Sequence, residues 1–208
     1  AITGVKPQYV MGNDLVYRYD RETAFWGGNE YFYFDIKDIR VPASGISRID
    51  RSKWVNSYLF PNVSRASNVY TYYPDINGDF LVSTLNGMNP SNEADYTQVH
   101  FALEGKSTFW GKEVYVYGKF SNYELRDEYK LTYDEKDGLF KGKVLLKQGF
   151  YNYKFATKSG NTIDFNEISG NFQQTENTYL VLVYYRAPGA LYDEVVGIGS
   201  ASGANITQ

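Results

Sequence analysis

The chain contains one histidine, His100, and this limits the acid–base chemistry that the sequence could support. A Ser-His-Asp triad would have to use it, and a metal site with two histidine ligands is excluded. In residues 95–103, Val99 and Phe101 alternate with Gln98 and His100, so the histidine falls on the polar side of a predicted strand. We therefore predict an outward-facing strand residue rather than a catalytic base.

Paired carboxylates are a second source of chemistry, because glycoside hydrolysis needs two acids that flank a sugar bond. The candidate pairs are Glu104 with Glu113, and Asp134 with Asp137. All four lie in or beside predicted turns, and near pairs arise by chance among 24 acidic residues. We predict that the chain is not an enzyme and has no catalytic residues.

Residues 75–79, Asp-Ile-Asn-Gly-Asp, are similar to the start of a calcium-binding loop. An EF-hand loop needs glycine at its sixth position and an acid at its twelfth, whereas Gly78 is fourth and Asn86 is twelfth here. Asn-Gly also predicts a hairpin turn, because both residues tolerate positive φ, and we favour the turn. Cysteine is absent, which excludes thiolate ligands, and we predict neither a metal site nor a cofactor.

Exposed aromatic side chains are the remaining candidates for binding. Trp26 and Trp110 each precede a glycine, and a tryptophan on a loop can stack on a sugar or a partner protein. The alternative is that Trp26, Trp54 and Trp110 each cover the end of a sandwich core. We name Trp26 and Trp110 as candidate contacts for a partner or ligand.

The composition favours a β-rich globular chain. Its 208 residues are 43% hydrophobic and 18% aromatic, and aromatic residues are enriched in strands. The net charge is −3 without a basic run, which argues against nucleic-acid binding. No stretch reaches the roughly 18 apolar residues of a membrane-spanning helix, so we predict no transmembrane segment. The abrupt start predicts a mature or trimmed fragment.

Two apolar segments indicate how the strands are covered. In residues 30–36, Phe32, Phe34 and Ile36 share one side of a predicted strand. In residues 179–185 both sides are apolar, which is typical of a strand that is covered on both faces. We therefore predict that the strand at residues 179–185 is central in its sheet or covered on both sides.

Turn signals divide the chain into short strands. The predicted hairpins are centred on Asn77-Gly78, between 69–73 and 80–85; on Asp137-Gly138, between 129–133 and 139–146; and on residues 158–161. Residues 86–92 are rich in Gly, Asn, Pro and Ser, so we place a domain boundary there. The predicted fold is all-β, with two immunoglobulin-like β-sandwich domains at residues 1–91 and 92–208. Seven strands are predicted in the second domain: 95–103, 113–120, 128–133, 139–146, 150–156, 163–172 and 178–185.

Residues 114–155 resemble the early-set immunoglobulin-like domains of glycogen- and starch-binding type. Those domains carry a Gly-x-Phe-Asn turn, which is usually followed by tryptophan, and a later Gly-x-Tyr-x-Tyr-x-Phe strand. The matching residues are Gly118, Phe120 and Asn122 for the first motif, and Gly149, Tyr151, Tyr153 and Phe155 for the second. Tyr123 stands where the tryptophan is expected, and it is our third candidate contact.

Four further segments resemble the plug protein family of the type IX secretion system. They are residues 29–36, 94–103, 145–155 and 175–186, and residues 192–199 fit the tail of that family. The resemblance covers residues 29–208 and places the chain in the C-terminal portion of a longer family member. The motif residues also have structural interpretations: Gly149 would permit a tight turn, and residues 175–177 would bond nearby backbone groups at a turn.

The resemblance implies a periplasmic protein that is associated with the outer membrane. Such a protein binds the periplasmic mouth of a large outer-membrane translocon barrel and occludes its channel sterically, without catalytic residues or cofactors. A carbohydrate-binding module of a cell-envelope protein is the alternative that the early-set resemblance leaves open.

Overall fold

The structure is a computed structural model and describes residues 1–203. Nearly all of its regular structure is β-strand, which confirms the predicted all-β fold. The last residues of the predicted second domain, 204–208, lie outside this description. The strands are β1 Tyr9–Met11, β2 Asp14–Val16, β3 Phe32–Asp35, β4 Ile46–Asp50, β5 Asn56–Leu59, β6 Phe80–Val82, β7 Tyr96–Glu104, β8 Glu113–Tyr117, β9 Lys130–Asp134, β10 Leu139–Lys147, β11 Gly149–Ser159, β12 Thr162–Asp164, β13 Thr178–Tyr185 and β14 Glu194–Ser202. One short α-helix, α1 Pro90–Glu93, and the 3₁₀ turns Arg21–Thr23, Ser107–Phe109, Lys119–Ser121 and Asp127–Tyr129 complete the described part.

The main sheet has ten strands and runs β12-β11-β8-β9-β10-β7-β5-β4, with β3 and β6 also paired to β11. Strand β11 is long enough to have two sets of neighbours. Its first half pairs with β3 and β6, and its second half pairs with β8 and β12. Strand β7 lies antiparallel to β10 on one side and parallel to β5 on the other. Strands β11 and β7 therefore each join strands that lie far apart in the sequence.

Alternation along β11 builds the core. Tyr151, Tyr153 and Phe155 lie on one side of the strand and are almost fully buried. The Tyr151 ring stacks on Phe34 of β3 with centroids 5.2 Å apart, and the Tyr153 ring packs edge-on against Phe101 of β7 at 5.2 Å. Because buried aromatic pairs contribute packing energy beyond their burial, these contacts hold β3, β7 and β11 together.

Strands from both sides of the predicted boundary at residue 91 share this sheet. Strands β3 and β6 pair with β11, and β5 pairs with β7. Buried side chains from β3, β5, β7 and β11 belong to one hydrophobic cluster. The division into two immunoglobulin-like domains at residues 1–91 and 92–208 stays a prediction.

The turn at Asn77-Gly78 is confirmed, but the hairpin predicted around it is wrong. Asn77 and Gly78 have φ angles of 56° and 79°, as such a turn requires. Residues 69–73 form no strand, however, and β6 pairs with the start of β11 instead. Strand β11 offers an extended edge beside a buried core, and β6 pairs with this edge rather than with residues 69–73.

The other two hairpins are confirmed. Strands β9 and β10 pair around Asp137-Gly138, and β11 and β12 pair around residues 160–161. Gly138 and Gly160 have the positive φ angles that such turns need. Strand β12 ends at Asp164, so the strand predicted over 163–172 is much shorter than expected.

The prediction that residues 179–185 form a central strand is wrong. Within the described chain, β13 pairs only with β14, and the two strands form a separate two-stranded sheet. Most of the β13 side chains are exposed on both faces. Strands β1 and β2 form a second isolated hairpin near the start of the chain. The apolar pattern of β13 therefore reflects surface that the folded body leaves uncovered.

Gly149 is required for a close strand approach rather than for the predicted tight turn. It begins β11 and pairs with Val82 of β6. A Cβ at this position would overlap the backbone carbonyl of Leu81. The glycine therefore lets β6 lie against β11 without a steric clash.

Gly149→Ala is expected to lower the free energy of unfolding by about 1 to 3 kcal/mol, the usual cost of overpacking a tight site. Gly199→Ala is the matched control, because a Cβ at Gly199 meets no heavy atom within 4 Å. Its free energy of unfolding should change by less than about 0.5 kcal/mol. Urea denaturation followed by circular dichroism measures both, and equal midpoints would contradict the close approach.

Candidate functional site

The pair β13–β14, which we call the C-terminal ribbon, carries more exposed apolar side chains than any other strand pair of the described residues. Strand β13 has the sequence Thr-Tyr-Leu-Val-Leu-Val-Tyr-Tyr and carries no charge. Leu180 and Val181 point to opposite faces, yet their exposed fractions are 59% and 61%. Neither face of the ribbon is therefore covered by the body of the protein.

The exposed apolar side chains continue through the ribbon and its connecting loop. Their full set is Leu180, Val181, Leu182, Val183, Tyr184, Tyr185, Leu191, Tyr192, Val195, Val196 and Ile198. Contiguous apolar surface of this kind marks sites of interaction with other molecules. Within the described chain, the outer edges of β13 and β14 also lack a strand partner, so their backbone groups are open to pairing.

Side chains at the base of the ribbon fasten it to the body. The Thr175 hydroxyl donates to the carbonyl of Gly28, and the Asn177 amide donates to the carbonyl of Gly27, each at 2.8 Å. The Phe25 ring lies 6.0 Å from the Tyr179 ring. The prediction that residues 175–177 bond nearby backbone groups is confirmed for Asn177, whose amide also donates to the carbonyl of Thr175 at 3.2 Å. The two 2.8 Å bonds reach backbone about 150 residues away in sequence, so they are tertiary anchors.

The far end of the ribbon is closed by an ion pair. The Arg186 guanidinium donates two hydrogen bonds to the Asp193 carboxylate, at 2.9 and 3.0 Å. Both groups are exposed, so the pair contributes little energy but sets the register of the loop. Apart from Glu194, which follows Asp193 directly, the charges of the ribbon are confined to this pair.

A polar cluster beside the anchor holds residues 74–79 against β11. The Asp75 carboxylate accepts the backbone N–H groups of Tyr31 and Asn77, at 2.6 and 2.7 Å. The side-chain oxygen of Asn152 accepts the backbone N–H of Ile76 at 2.6 Å. Asp79 pairs with a lysine. These carboxylates thus have protein donors, which supports the turn rather than the calcium loop.

Lys154 is the buried cation of this cluster. Its ammonium lies 4.2 Å from the centroid of the Tyr31 ring, a cation–π geometry. Burial lowers the pKa of Lys154 to about 8, and the nearby Asp75 and Glu30 carboxylates offset only part of this effect. Burial also raises the pKa of Glu30, whose carboxylate accepts the Tyr70 hydroxyl at 2.5 Å.

The three predicted contact residues lie in separate places. Trp26 is 80% exposed beside the anchor, and Trp110 is 66% exposed. Tyr123 has a φ of 57° and donates its hydroxyl to the carbonyl of Asn77 at 3.0 Å. No ring pair joins any two of them within residues 1–203. Trp54 is also exposed, so the alternative that the tryptophans cover the core is wrong.

Trp110 lines a shallow groove between the start of β8 and the hairpin β9–β10. The groove has a volume of about 630 Å³. Its other walls include Tyr133, Lys112, Lys130 and Glu135, so an aromatic ring lies beside charged groups of both signs. Such a combination can hold a polar ring-shaped ligand.

Three of the four candidate catalytic carboxylates are engaged with lysines, whereas Glu104 has no such ion pair within residues 1–203. Glu113 pairs with Lys130, and Lys141 pairs with both Asp134 and Asp137. A carboxylate that is held by a lysine has a lowered pKa and is a poor general acid. Ion pairing lowers the pKa of Glu113 and of Asp134, in agreement with this geometry.

His100 lies on the outer face of β7, as predicted. Its ring stacks on Tyr58 with centroids 4.1 Å apart, and its Nε2 lies 2.8 Å from the Asn56 side-chain oxygen. Burial lowers the pKa of His100, and the charges of Lys143 and Arg48 lower it further. The geometry therefore lacks the carboxylate partner of a catalytic triad.

The lowered pKa of Lys154 predicts a pH dependence of stability. The folded protein releases this proton near pH 8, whereas the unfolded chain keeps it to about its ordinary pKa of 10.5. The unfolded state thus binds more protons at this site in this window, so the contribution of Lys154 to stability should rise with pH. Relative to Lys154→Met, the free energy of unfolding should increase by about 1 to 2 kcal/mol between pH 8 and 9.5.

Urea denaturation at several pH values tests this dependence. Lys154→Met should abolish the increase, because the variant has no proton to release. Lys106→Met, at an exposed position, is the control and should retain it. The same slope in all three proteins would show that Lys154 does not titrate in this range.

Comparison with solved structures identifies a protein of similar fold. No protein-family model matches the chain, and no curated protein matches it. A crystal structure of a hypothetical protein from Parabacteroides merdae is similar, with a TM-score of 0.85 and 30% sequence identity. The similarity covers 94% of this chain and 50% of that chain. The chain thus shares its all-β fold with a protein of which it spans about half the length.

Proposed function

We propose that this chain is a non-enzymatic docking component of a protein-secretion apparatus. In this proposal it is a periplasmic plug that binds the periplasmic mouth of a large outer-membrane translocon barrel and occludes the channel. The observation that carries the proposal is the C-terminal ribbon, which is apolar on both faces and covered on neither. Occlusion requires a firm attachment and a rigid body, and it requires no reaction.

The ribbon supplies the attachment. Burying a half-exposed Leu or Val side chain is favourable by roughly 1 kcal/mol, before the entropic cost of association. The ribbon and its connecting loop offer seven exposed Leu or Val side chains, together with two strand edges that have no partner within residues 1–203. A partner that is itself built of strands could extend the ribbon by backbone hydrogen bonds and cover its faces at the same time.

The body supplies the rigidity. Its aromatic core joins β3, β7 and β11, and the anchor ties the ribbon to residues 27–28. Two of the segments that carry the family resemblance, 29–36 and 145–155, pair with each other as β3 and β11. A third, 175–186, contains the anchor and β13. The residues that carry the family resemblance therefore include strands of the main sheet, the anchor and the first strand of the ribbon.

The surroundings of the candidate catalytic groups favour a binding role. His100 contacts Tyr58 and Asn56 rather than a carboxylate. Glu113 and the pair Asp134 and Asp137 are engaged with lysines. These groups therefore make ion pairs and hydrogen bonds within the protein surface.

Val181→Lys should weaken binding to the barrel, because it places a charge in the centre of the uncharged strand. Val69→Lys is the control, because Val69 is 91% exposed and lies outside the ribbon. The measurement is co-purification of each variant with the outer-membrane barrel in mild detergent, from cells that make the export system. We expect at least a tenfold loss for Val181→Lys and little change for Val69→Lys. Equal recovery of the barrel with both variants would contradict the proposal.

The groove at Trp110 favours a second candidate function, a carbohydrate-binding module. A sugar ring could stack on Trp110 while Lys112 or Glu135 binds its hydroxyl groups. Trp110→Ala should then abolish retention on immobilised polysaccharide. Trp54→Ala, at another exposed tryptophan, should retain it. Absence of retention for the unmodified chain across a glycan array would exclude this candidate.

A further inference from the structure

Four side chains form a row across the outer face of the main sheet, on four adjacent strands. Arg48 of β4 is in register with Tyr58 of β5, Tyr58 with His100 of β7, and His100 with Lys143 of β10. We call these four residues the cationic row. At roughly 4.8 Å per strand, it spans about 14 Å between its two end positions.

The middle of the cationic row is a continuous stack. The Arg48 guanidinium carbon lies 3.6 Å from the centroid of the Tyr58 ring. The Tyr58 and His100 rings lie 4.1 Å apart with an angle of 15° between their planes. Because β5 lies between β4 and β7, both faces of the Tyr58 ring are covered.

The two cations at the ends of the row are free of ion pairs. Within residues 1–203, neither Arg48 nor Lys143 has a carboxylate within salt-bridge distance, whereas Lys130, Lys141 and Arg186 all do. The pKa of His100 is lowered by both end cations in addition to its burial, which reflects a positive potential at the centre of the row.

The groups that face His100 add no negative charge. The neighbouring position on β5 is Asn56, and the side-chain oxygen of Asn56 contacts the imidazole. Gln98 and Ala102 flank His100 on its own strand. Asp50, the carboxylate of β4 that is nearest in register, pairs with Asn56 in the adjacent row.

We propose that the cationic row binds an acidic, extended segment of a partner protein. Two carboxylates on the same side of an extended chain, four residues apart, are separated by about 13 Å. This distance matches the separation of Arg48 and Lys143. Arg48 would donate two hydrogen bonds to one carboxylate, and Lys143 would donate to the other.

The geometry favours a peptide over other anionic ligands. A sugar binds an aromatic residue by stacking on a ring face, and the faces of Tyr58 are already occupied. The two unpaired cations of the row, on a chain of net charge −3, are too few for a nucleic-acid backbone. The inference goes beyond the proposed function, because it concerns a different sheet and does not require the ribbon.

The single histidine makes the proposal testable by NMR, because the imidazole signal needs no assignment. The probe is a capped seven-residue peptide with glutamates at its second and sixth positions and Thr or Val elsewhere. The control peptide has glutamine at both positions. At saturation the glutamate peptide should raise the pKa of His100 by about half a unit or more, because its carboxylates offset the two cations. The glutamine peptide should not.

Three variants check the assignment. Arg48→Gln and Lys143→Gln should each weaken peptide binding at least fivefold. Without peptide, each should also raise the pKa of His100, which confirms that the row is intact in the folded variant. Lys106→Gln, at an exposed lysine outside the row, should leave both measurements unchanged.

Other results would overturn the proposal. An equal effect of the two peptides would show binding without charge recognition. A response to oligogalacturonate but not to the glutamate peptide would assign the row to an acidic glycan. A His100 signal that depends on protein concentration, and loses that dependence in Arg48→Gln, would assign it to a second copy of this chain. None of these results bears on co-purification with the barrel, so the two proposals fail separately.

Discussion

The packing of Tyr151 and Tyr153 against Phe34 and Phe101 is the interaction on which the rest of the structure depends. These rings belong to β11, β3 and β7, and every other strand of the main sheet is attached through β11 or β7. The opposite side of β11 holds Lys154 and Asn152, which organise residues 74–79. Strand β11 therefore borders the hydrophobic core on one side and a buried polar cluster on the other.

Local patterns in the sequence were sufficient where the partner of a segment was its neighbour in the chain. The hairpins β9–β10 and β11–β12 follow directly from Asp-Gly and from the turn at residues 160–161. The outward orientation of His100 followed from simple alternation along β7. In each case the relevant interactions lie within about ten residues.

Strand pairing between distant segments could not be predicted from local sequence patterns. Residues 80–82 carry the same signals whether they pair with 69–73 or with β11, and the choice depends on the core that β11 borders. Likewise, an apolar strand looks the same in sequence whether it is buried or left exposed, so residues 179–185 were placed in the wrong environment. The cationic row needs the register of four strands, three of which are far apart in sequence.

The two candidate surfaces differ in the kind of interaction that would drive binding. The C-terminal ribbon is apolar and uncharged along β13, so it favours a tight contact that depends weakly on salt. The cationic row is small and charged, so it favours orientation and rapid encounter over affinity. Together they would allow a partner to be steered by one surface and held by the other.

The attachment of the ribbon has a consequence for its motions. A two-stranded sheet is marginally stable alone, and hydrogen bonds from Thr175 and Asn177 link this one to the body. The ribbon can therefore unfold locally while the ten-stranded sheet stays folded. Its amide protons will exchange with solvent faster than those of β11. Any partner that covers the ribbon will slow that exchange, and the gain in protection will measure the free energy of docking.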